Sequence, residues 1–287
     1  MDYCDLHVHS IYSDGTCSPK ELVETAVSSG LCALALTDHN TIDGLDEFFE
    51  AAEGIEIEVC GGCEITTEDD GQELHLLGLF LNSKNVEPIQ KALKEQLKRK
   101  EQSNRETIEK LSEAGYDVSY SEFVEIMGYG VKNRVHIAKY LMSKNIILEI
   151  KEAFDGLLST KMGFYQETKK LDFFEMISLI HESGGVAVWA HPLFHVNWEK
   201  CEAIIRKAKS FGLDGVEVYY STYSDDDTKF MHQLCEKYQL LESGGSDFHG
   251  ENKPVLQIGT GYGNLRIPLS CYKNLKKRAD ELNNRFI

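Results

Sequence analysis

Short apolar runs separated by amphipathic stretches give the chain a strand–helix rhythm. Runs at 3–8, 31–37, 55–61, 74–81, 186–190, 214–219 and 240–244 predict seven strands. Helical patterns follow most of them. Ser18-Pro19-Lys20-Glu21 predicts a helix start, with Ser18 as N-cap, Pro19 in the first turn and Glu21 closing a capping box. Gly30 marks its stop. A second helix is expected over about 43–53. Between 84 and 170 no strand pattern is found. A long charged helix from Val86 to Ala114, stopped by Gly115, is followed by helical stretches near 120–127, 134–144 and 149–158. The rhythm resumes with a helix over 171–183. The expected organisation is an α/β barrel unit split over 1–83 and 171–287, with an all-helical cap inserted at 84–170. There is no internal repeat and no low-complexity segment.

Composition narrows the function classes. The 287 residues are 42% hydrophobic and 27% charged, which excludes a largely disordered chain. With 30 Lys+Arg against 47 Asp+Glu the formal charge is −17. Such a surface repels phosphate backbones and argues against stable duplex nucleic-acid binding. Bound metal ions would invert the field locally, so a small phosphorylated substrate remains compatible. No apolar run reaches the roughly 18 residues of a membrane span, and the N-terminal stretch lacks the features of a signal peptide. The 8 cysteines are scattered, several within apolar runs, and read as reduced thiols. The expectation is a cytoplasmic protein with no membrane partner; its oligomeric state is left open and a monomer is compatible.

The placement of the histidines brings in chemistry. His7 and His9 lie two apart on a strand, so both rings point to one face and can share an ion. The same spacing recurs in Asp247-Phe248-His249. His39, His75 and His191, with Asp14 and Glu64, also fall at or near predicted strand ends. In α/β barrels the strand C-termini converge on one face, where active sites form. A lone histidine at a strand end is more often a hydrogen-bonded structural residue. A whole set of them, with three acids in one βα series, predicts a multinuclear metal centre. Mixed imidazole and carboxylate donors suit Mn, Fe or Zn better than Mg or Ca.

Four motifs then carry a resemblance: Asp5-Leu6-His7-Val8-His9-Ser10, Thr37-Asp38-His39-Asn40, Ala190-His191-Pro192 and Ser246-Asp247-Phe248-His249. Together they resemble the PHP (polymerase and histidinol phosphatase) superfamily over 1–83 and 171–260. The helical insertion is similar to that of the TrpH/YciV-type phosphoesterases. The resemblance implies a distorted (β/α)7 barrel holding two to three divalent transition metals. It implies that His7, His9, Glu64 and Asp247 hold the first metal. Glu64 would bridge to a second, completed by His75 and His191, and Asp14, His39 and His249 would hold a third. Some PHP families have His where Asp14 stands; Asp fits the TrpH-like pattern. Glu64, Asp247 and His191 would act in catalysis through the metals.

The implied activity is a metal-dependent phosphoesterase acting on a small phosphate ester. The first choice is the 3′-phosphate of a nucleoside 3′,5′-bisphosphate, or short RNA 5′ ends. A cyclic sugar phosphate, such as a phosphoribosyl cyclic phosphate, and histidinol phosphate are alternatives. So are a non-catalytic PHP metal-binding module and, more remotely, amide hydrolysis. Against the module, all nine ligand positions are filled; against amide hydrolysis, no Lys falls in a strand candidate. Arg134 and His136 are the expected substrate-binding residues. They stand in Asn133-Arg134-Val135-His136-Ile137-Ala138 where related proteins read Gly-Arg-Pro-His-Ile-Ala, so Asn replaces Gly and Val replaces Pro. Arg99 and Arg105 read as a solvated face. Cys60-Gly61-Gly62-Cys63 has no second pair and reads as strand-end packing. Asp38 reads equally as a ligand-orienting residue or a turn residue. Glu217 ends a strand without an assigned role, and His181, His195 and His232 read as structural or solvent-exposed.

Overall fold

A computed structural model describes residues 2–81, 86–128 and 130–284, so the expected boundary at 83/84 lies outside the described residues. The chain divides into two compact units, Met1–Leu93 with Leu171–Ile287, and Lys94–Lys170.

The first unit begins with β1 (Tyr3–Val8), α1 (Pro19–Ser28), β2 (Ala33–Leu36), α2 (Leu45–Ala52), β3 (Glu58–Asp69) and β4 (Gln72–Leu79). α1 starts at a capping box between Ser18 and Glu21, and Gly30 follows its end with φ 73°. The next helix, α3 (Glu87–Glu113), begins in this unit and continues into the second, which also holds α4 (Tyr120–Met127), α5 (Arg134–Ser143) and α6 (Ile150–Asp155). The first unit resumes with β5 (Leu171–Asp172), α7 (Phe173–Glu182), β6 (Val186–Ala190), α8 (Pro192–His195) and α9 (Trp198–Ser210). It ends with β7 (Gly215–Tyr220), α10 (Asp225–Tyr238), β8 (Leu241–Gly245), β9 (Ile267–Pro268) and α11 (Leu269–Asn283).

The strands form a single mixed sheet in the order β8-β7-β6-β4-β3-β2-β1-β9, with β5 beside β3. β1, β2 and β3 are parallel, as are β6, β7 and β8, but β4 runs antiparallel to both β3 and β6. The reversal comes from Asp70-Gly71, both at positive φ (50° and 74°), which turn β3 directly into β4 as a hairpin. The sheet curls so that the segment after β8 returns to β1. Asp247 N–H donates to the His7 carbonyl at 2.9 Å and His9 N–H to the Phe248 carbonyl at 2.9 Å. This nearly closes a barrel. The approach is tight: a Cβ at Gly245 would sit 2.0 Å from that of His7, so only glycine fits.

The expected strand over 55–61 is an undercount. β3 continues through Gly61-Gly62 to Asp69, because Gly62 lets β4 approach; a Cβ there would meet the Gly78 carbonyl at 2.8 Å. The helix expected over 171–183 begins instead with the two-residue strand β5, and Asp172 then caps α7. β9 was not anticipated. Apolar residues on one side of the sheet pack under α1, α2, α7, α9 and α10, and those on the other under α11. The second unit has its own core of Ile108, Leu111, Phe123, Ile137, Tyr140, Leu141 and Leu158.

Candidate metal centre

The sheet brings the nine predicted ligands to one end. His7 lies in β1, with His9 and Asp14 in the segment after it; His39 follows β2, Glu64 and His75 lie on the paired strands of the β3–β4 hairpin, His191 follows β6, and Asp247 and His249 follow β8. Two of these positions carry backbone strain. Asp247 has φ 58° and His191 φ 31°, a left-handed conformation that a histidine adopts only when held there. Glu217 holds it: its Oε2 accepts the His191 backbone N–H at 2.7 Å.

Glu64 is fully buried at the centre, and its two oxygens face different histidines. Oε1 lies 2.7 Å from His75 Nδ1 and 2.8 Å from His191 Nε2. Oε2 lies 3.0 Å from His7 Nε2 and 3.2 Å from both His9 Nε2 and His39 Nδ1. Asp247 Oδ1 stands 3.2 Å from His9 Nε2, 3.5 Å from His249 Nδ1 and 3.7 Å from His7 Nε2. Asp14 Oδ1 is 3.3 Å from His249 Nε2 and 3.9 Å from His39 Nε2. Donor atoms therefore converge in groups able to hold an ion: His7, His9, Glu64 and Asp247; His9, Asp14, His39 and His249; His39, Glu64 and His75; and His75, His191 and His195. His9 belongs to two of them, and His195 lies outside the predicted set.

The donor set fits divalent cations. Metal–nitrogen bonds of about 2.1 Å at tetrahedral angles leave donors about 3.4 Å apart, close to the separations seen here. Both ring nitrogens of His9 are buried without a hydrogen-bond partner, although Nε2 sits beside two carboxylate oxygens. Nitrogens aimed at carboxylates without a hydrogen bond between them suit a shared cation.

The electrostatics agree. Burial pulls the His9 and His75 pKa values down, but the adjacent Asp247 and Glu64 carboxylates outweigh it at His9, and Glu64 with Glu73 outweighs it at His75, lifting both to about 9. His7 is likewise raised well above its ordinary value, against its burial, by Glu64 and Glu217. Burial opposes charge on Glu64 and Asp247 too, yet the surrounding imidazoles hold both carboxyls well below the usual range. Metal-free, His7, His9 and His75 favour holding protons where the centre would otherwise hold cations, while burial pushes His39 down to about 3.

An outer layer orients these groups. His7 Nδ1 contacts Glu217 Oε1 at 3.0 Å, which turns Nε2 toward Glu64. Glu217 is thus a positioning residue that its sequence position alone did not reveal. Asp247 turns Oδ1 to the histidines because Oδ2 is gripped by Tyr220 Oη (2.9 Å) and Lys253 Nζ (2.6 Å). Buried Asp5 accepts backbone N–H groups of Ser246 and Gly259, fastening the β8 end to β1. Asp38 accepts from Ser10 N–H and from the Ser10 and Ser13 hydroxyls, so it shapes the loop after β1. Cys60 and Cys63 are buried and free. Burial pushes the Cys60 thiol up to about 12 and the Cys63 thiol well above its ordinary value.

Arg134 and His136 belong to the helical unit. Arg134 opens α5, lies between the rings of Phe154 and Tyr165 (4.6 and 4.7 Å to the centroids), and donates from Nη2 to the Leu158 carbonyl at 2.5 Å. Its Nε is buried without a hydrogen-bond partner. His136 Nδ1 accepts the Asn133 N–H at 3.1 Å, closing a capping box at the start of the helix.

A nearly closed α/β barrel with a histidine–carboxylate centre at its strand ends defines a metal-dependent phosphoesterase of the barrel type. The chain belongs to the PHP domain family, whose model matches residues 5–171. It is 34% identical over 247 residues to a 5′-3′ exoribonuclease of Haemophilus influenzae, covering 85% of this chain and 89% of that one. It is 27% identical to a phosphoribosyl 1,2-cyclic phosphate 1,2-diphosphodiesterase of Eggerthella lenta (92% and 98% covered). It is 26% identical to a 3′,5′-nucleoside bisphosphate phosphatase of Chromobacterium violaceum (90% and 91% covered). Among solved structures, one assigned as a metal-dependent phosphoesterase of Bifidobacterium adolescentis superposes with a TM-score of 0.82 at 27% identity, covering 96% of each chain. No helix among the described residues is long and apolar enough to cross a membrane.

Proposed function

We propose that this phosphoesterase hydrolyses the ester at the 3′-oxygen of a 5′-phosphorylated nucleotide, either a free nucleoside 3′,5′-bisphosphate or the 5′ end of an RNA. The observation that carries the reading is Glu64, whose two oxygens face separate histidine sets, the arrangement a carboxylate needs to bridge two cations. Two to three Mn, Fe or Zn ions held by His7, His9, Asp14, His39, Glu64, His75, His191, Asp247 and His249 would activate water and offset charge on the phosphoryl group. Glu217 fixes the His7 ring and the His191 backbone, so those donors meet the substrate already arranged. In the helical unit, Arg134 is the proposed phosphate-binding side chain, since a guanidinium offers a fork of donors matched to phosphate.

Phe194 favours a nucleotide over a base-free sugar phosphate. The residue is 66% exposed, and its ring stands edge-on 5.7 Å from the His191 ring. An exposed aromatic face beside the reacting centre can stack a nucleobase, worth about 1–3 kcal/mol. The E. lenta relative supports the second reading, a cyclic sugar phosphate. The test is a comparison of kcat/KM on adenosine 3′,5′-bisphosphate, a 5′-phosphorylated oligoribonucleotide and phosphoribosyl 1,2-cyclic phosphate, with Mn added. The two nucleotide substrates should lead. A clear preference for the cyclic sugar phosphate would replace this reading with the second.

A further inference from the structure

His195 was expected to be structural or solvent-exposed, and the resemblance gives it no role. It stands four residues after His191, across the single turn of α8. That turn is closed by Phe194 N–H on the His191 carbonyl (2.9 Å) and Val196 N–H on the Pro192 carbonyl (3.2 Å). Residues four apart on a helical turn share one face, the spacing by which paired histidines hold an ion. The His195 ring accordingly lies 5.3 Å from that of His191 and 4.8 Å from that of His75, centroid to centroid. Donor atoms of the three rings fall within 4.8 Å of one another.

Two further observations point the same way. His195 Nε2 is buried without a hydrogen-bond partner, and so is His191 Nδ1. An imidazole nitrogen buried without a partner costs about 1–3 kcal/mol, which a bound cation would offset.

We infer that His195 is a further nitrogen ligand at the His75–His191 end of the centre, so that this end takes a cation on three imidazoles. Three neutral imidazoles form a nitrogen-rich site, which selects Zn or Fe over the harder cations. The inference rests on the metal-centre reading above. It extends that reading by giving one end of the centre a different donor set from the other.

The test reads the metal directly. Protein labelled with 15N-histidine is stripped, saturated with zinc and compared with His195→Phe by long-range 1H–15N correlation; the chain has 10 histidines, few enough to resolve. The imidazole missing from His195→Phe should be one whose nitrogen carries a metal-bound shift in the wild type. Zinc titration of the variant should show one site weakened at least about tenfold and the remaining sites unchanged. His195→Leu serves as a second variant, and circular dichroism checks that each is folded. An unligated His195 resonance in the zinc-saturated wild type would overturn the inference, as would unchanged zinc affinity in both folded variants. His191→Phe separates the two levels of the argument. If it loses zinc while the His195 variants do not, only the His195 assignment fails; if no substitution affects zinc, the metal-centre reading fails with it.

Discussion

Replacing Glu217 by Gln probes the centre without touching a proposed ligand. Glu217 is fully buried, and each of its oxygens has a separate partner, His7 Nδ1 at 3.0 Å and the His191 backbone N–H at 2.7 Å. A glutamine has the same shape but one acceptor oxygen. If that oxygen keeps the His191 N–H, the amide NH2 faces His7 Nδ1. The His7 proton must then move to Nε2, the nitrogen that faces Glu64 and Asp247. That removes the lone pair a cation needs. If the oxygen keeps His7 instead, the His191 N–H is left buried and unpaired, at about 1–3 kcal/mol, and the left-handed turn at His191 loses its hold. Either way, loss of an orienting partner should cost about 10–100-fold in metal affinity, or about 1.4–2.8 kcal/mol. The assay is competition for Mn or Zn against a chromophoric chelator, with circular dichroism to confirm the fold. Wild-type metal affinity in a folded Glu217→Gln protein would refute the positioning role.

Metal loading at pH 7 should release protons, because His9 and His75 hold theirs up to about pH 9 in the metal-free protein and must lose them to bind. Calorimetric binding enthalpies should therefore shift with the ionisation enthalpy of the buffer, and identical values in two buffers would contradict this. The same raised values stabilise the metal-free fold fully below the unfolded histidine pKa of about 6.5, and that contribution fades as pH rises through about 9. The Tm of stripped protein should fall between pH 7 and 10 more than that of loaded protein; equal falls would count against it. Phe194→Ala should lower kcat/KM for adenosine 3′,5′-bisphosphate by about 1–3 kcal/mol and spare a base-free ribose phosphate. Equal losses on both would remove the stacking role. Arg134→Ala should leave metal content intact and lower kcat/KM for the bisphosphate by about 2–4 kcal/mol, with much less effect on a monophosphate. No loss on either substrate would remove Arg134 from phosphate binding.

The pairing of His7 and His9 was legible because side chains two apart along an extended strand share a face; the rest of the expected ligand set, including Asp247 and His249 beyond the end of β8, came from the resemblance. The outer layer was not legible. Glu217 meets His7 from 210 residues away, and nothing local to Glu217 announces it. His195 could have been found. Its four-residue spacing from His191 was in the sequence, but α8 is a single turn opened by Pro192 and is too short to show helical periodicity. The strand–helix rhythm gave the barrel series, while the direction of β4 escaped it. Asp70-Gly71 is a two-residue hairpin signal that specifies an antiparallel return, and Gly61-Gly62 reads as a strand end when it permits close packing inside β3. Two-residue strands such as β5 and β9 have no periodicity to read.

In the proposed mechanism the histidine–carboxylate centre holds the cations that hydrolyse a phosphate ester, with Glu64 joining its two ends. The most direct measurement is release of inorganic phosphate from adenosine 3′,5′-bisphosphate by chelator-stripped protein as Mn is added back, for wild type and Glu64→Gln in parallel. No release is expected without metal, with full recovery in the wild type and no recovery in the folded variant. Phosphate release by fully stripped protein, or recovery in Glu64→Gln equal to wild type, would contradict it.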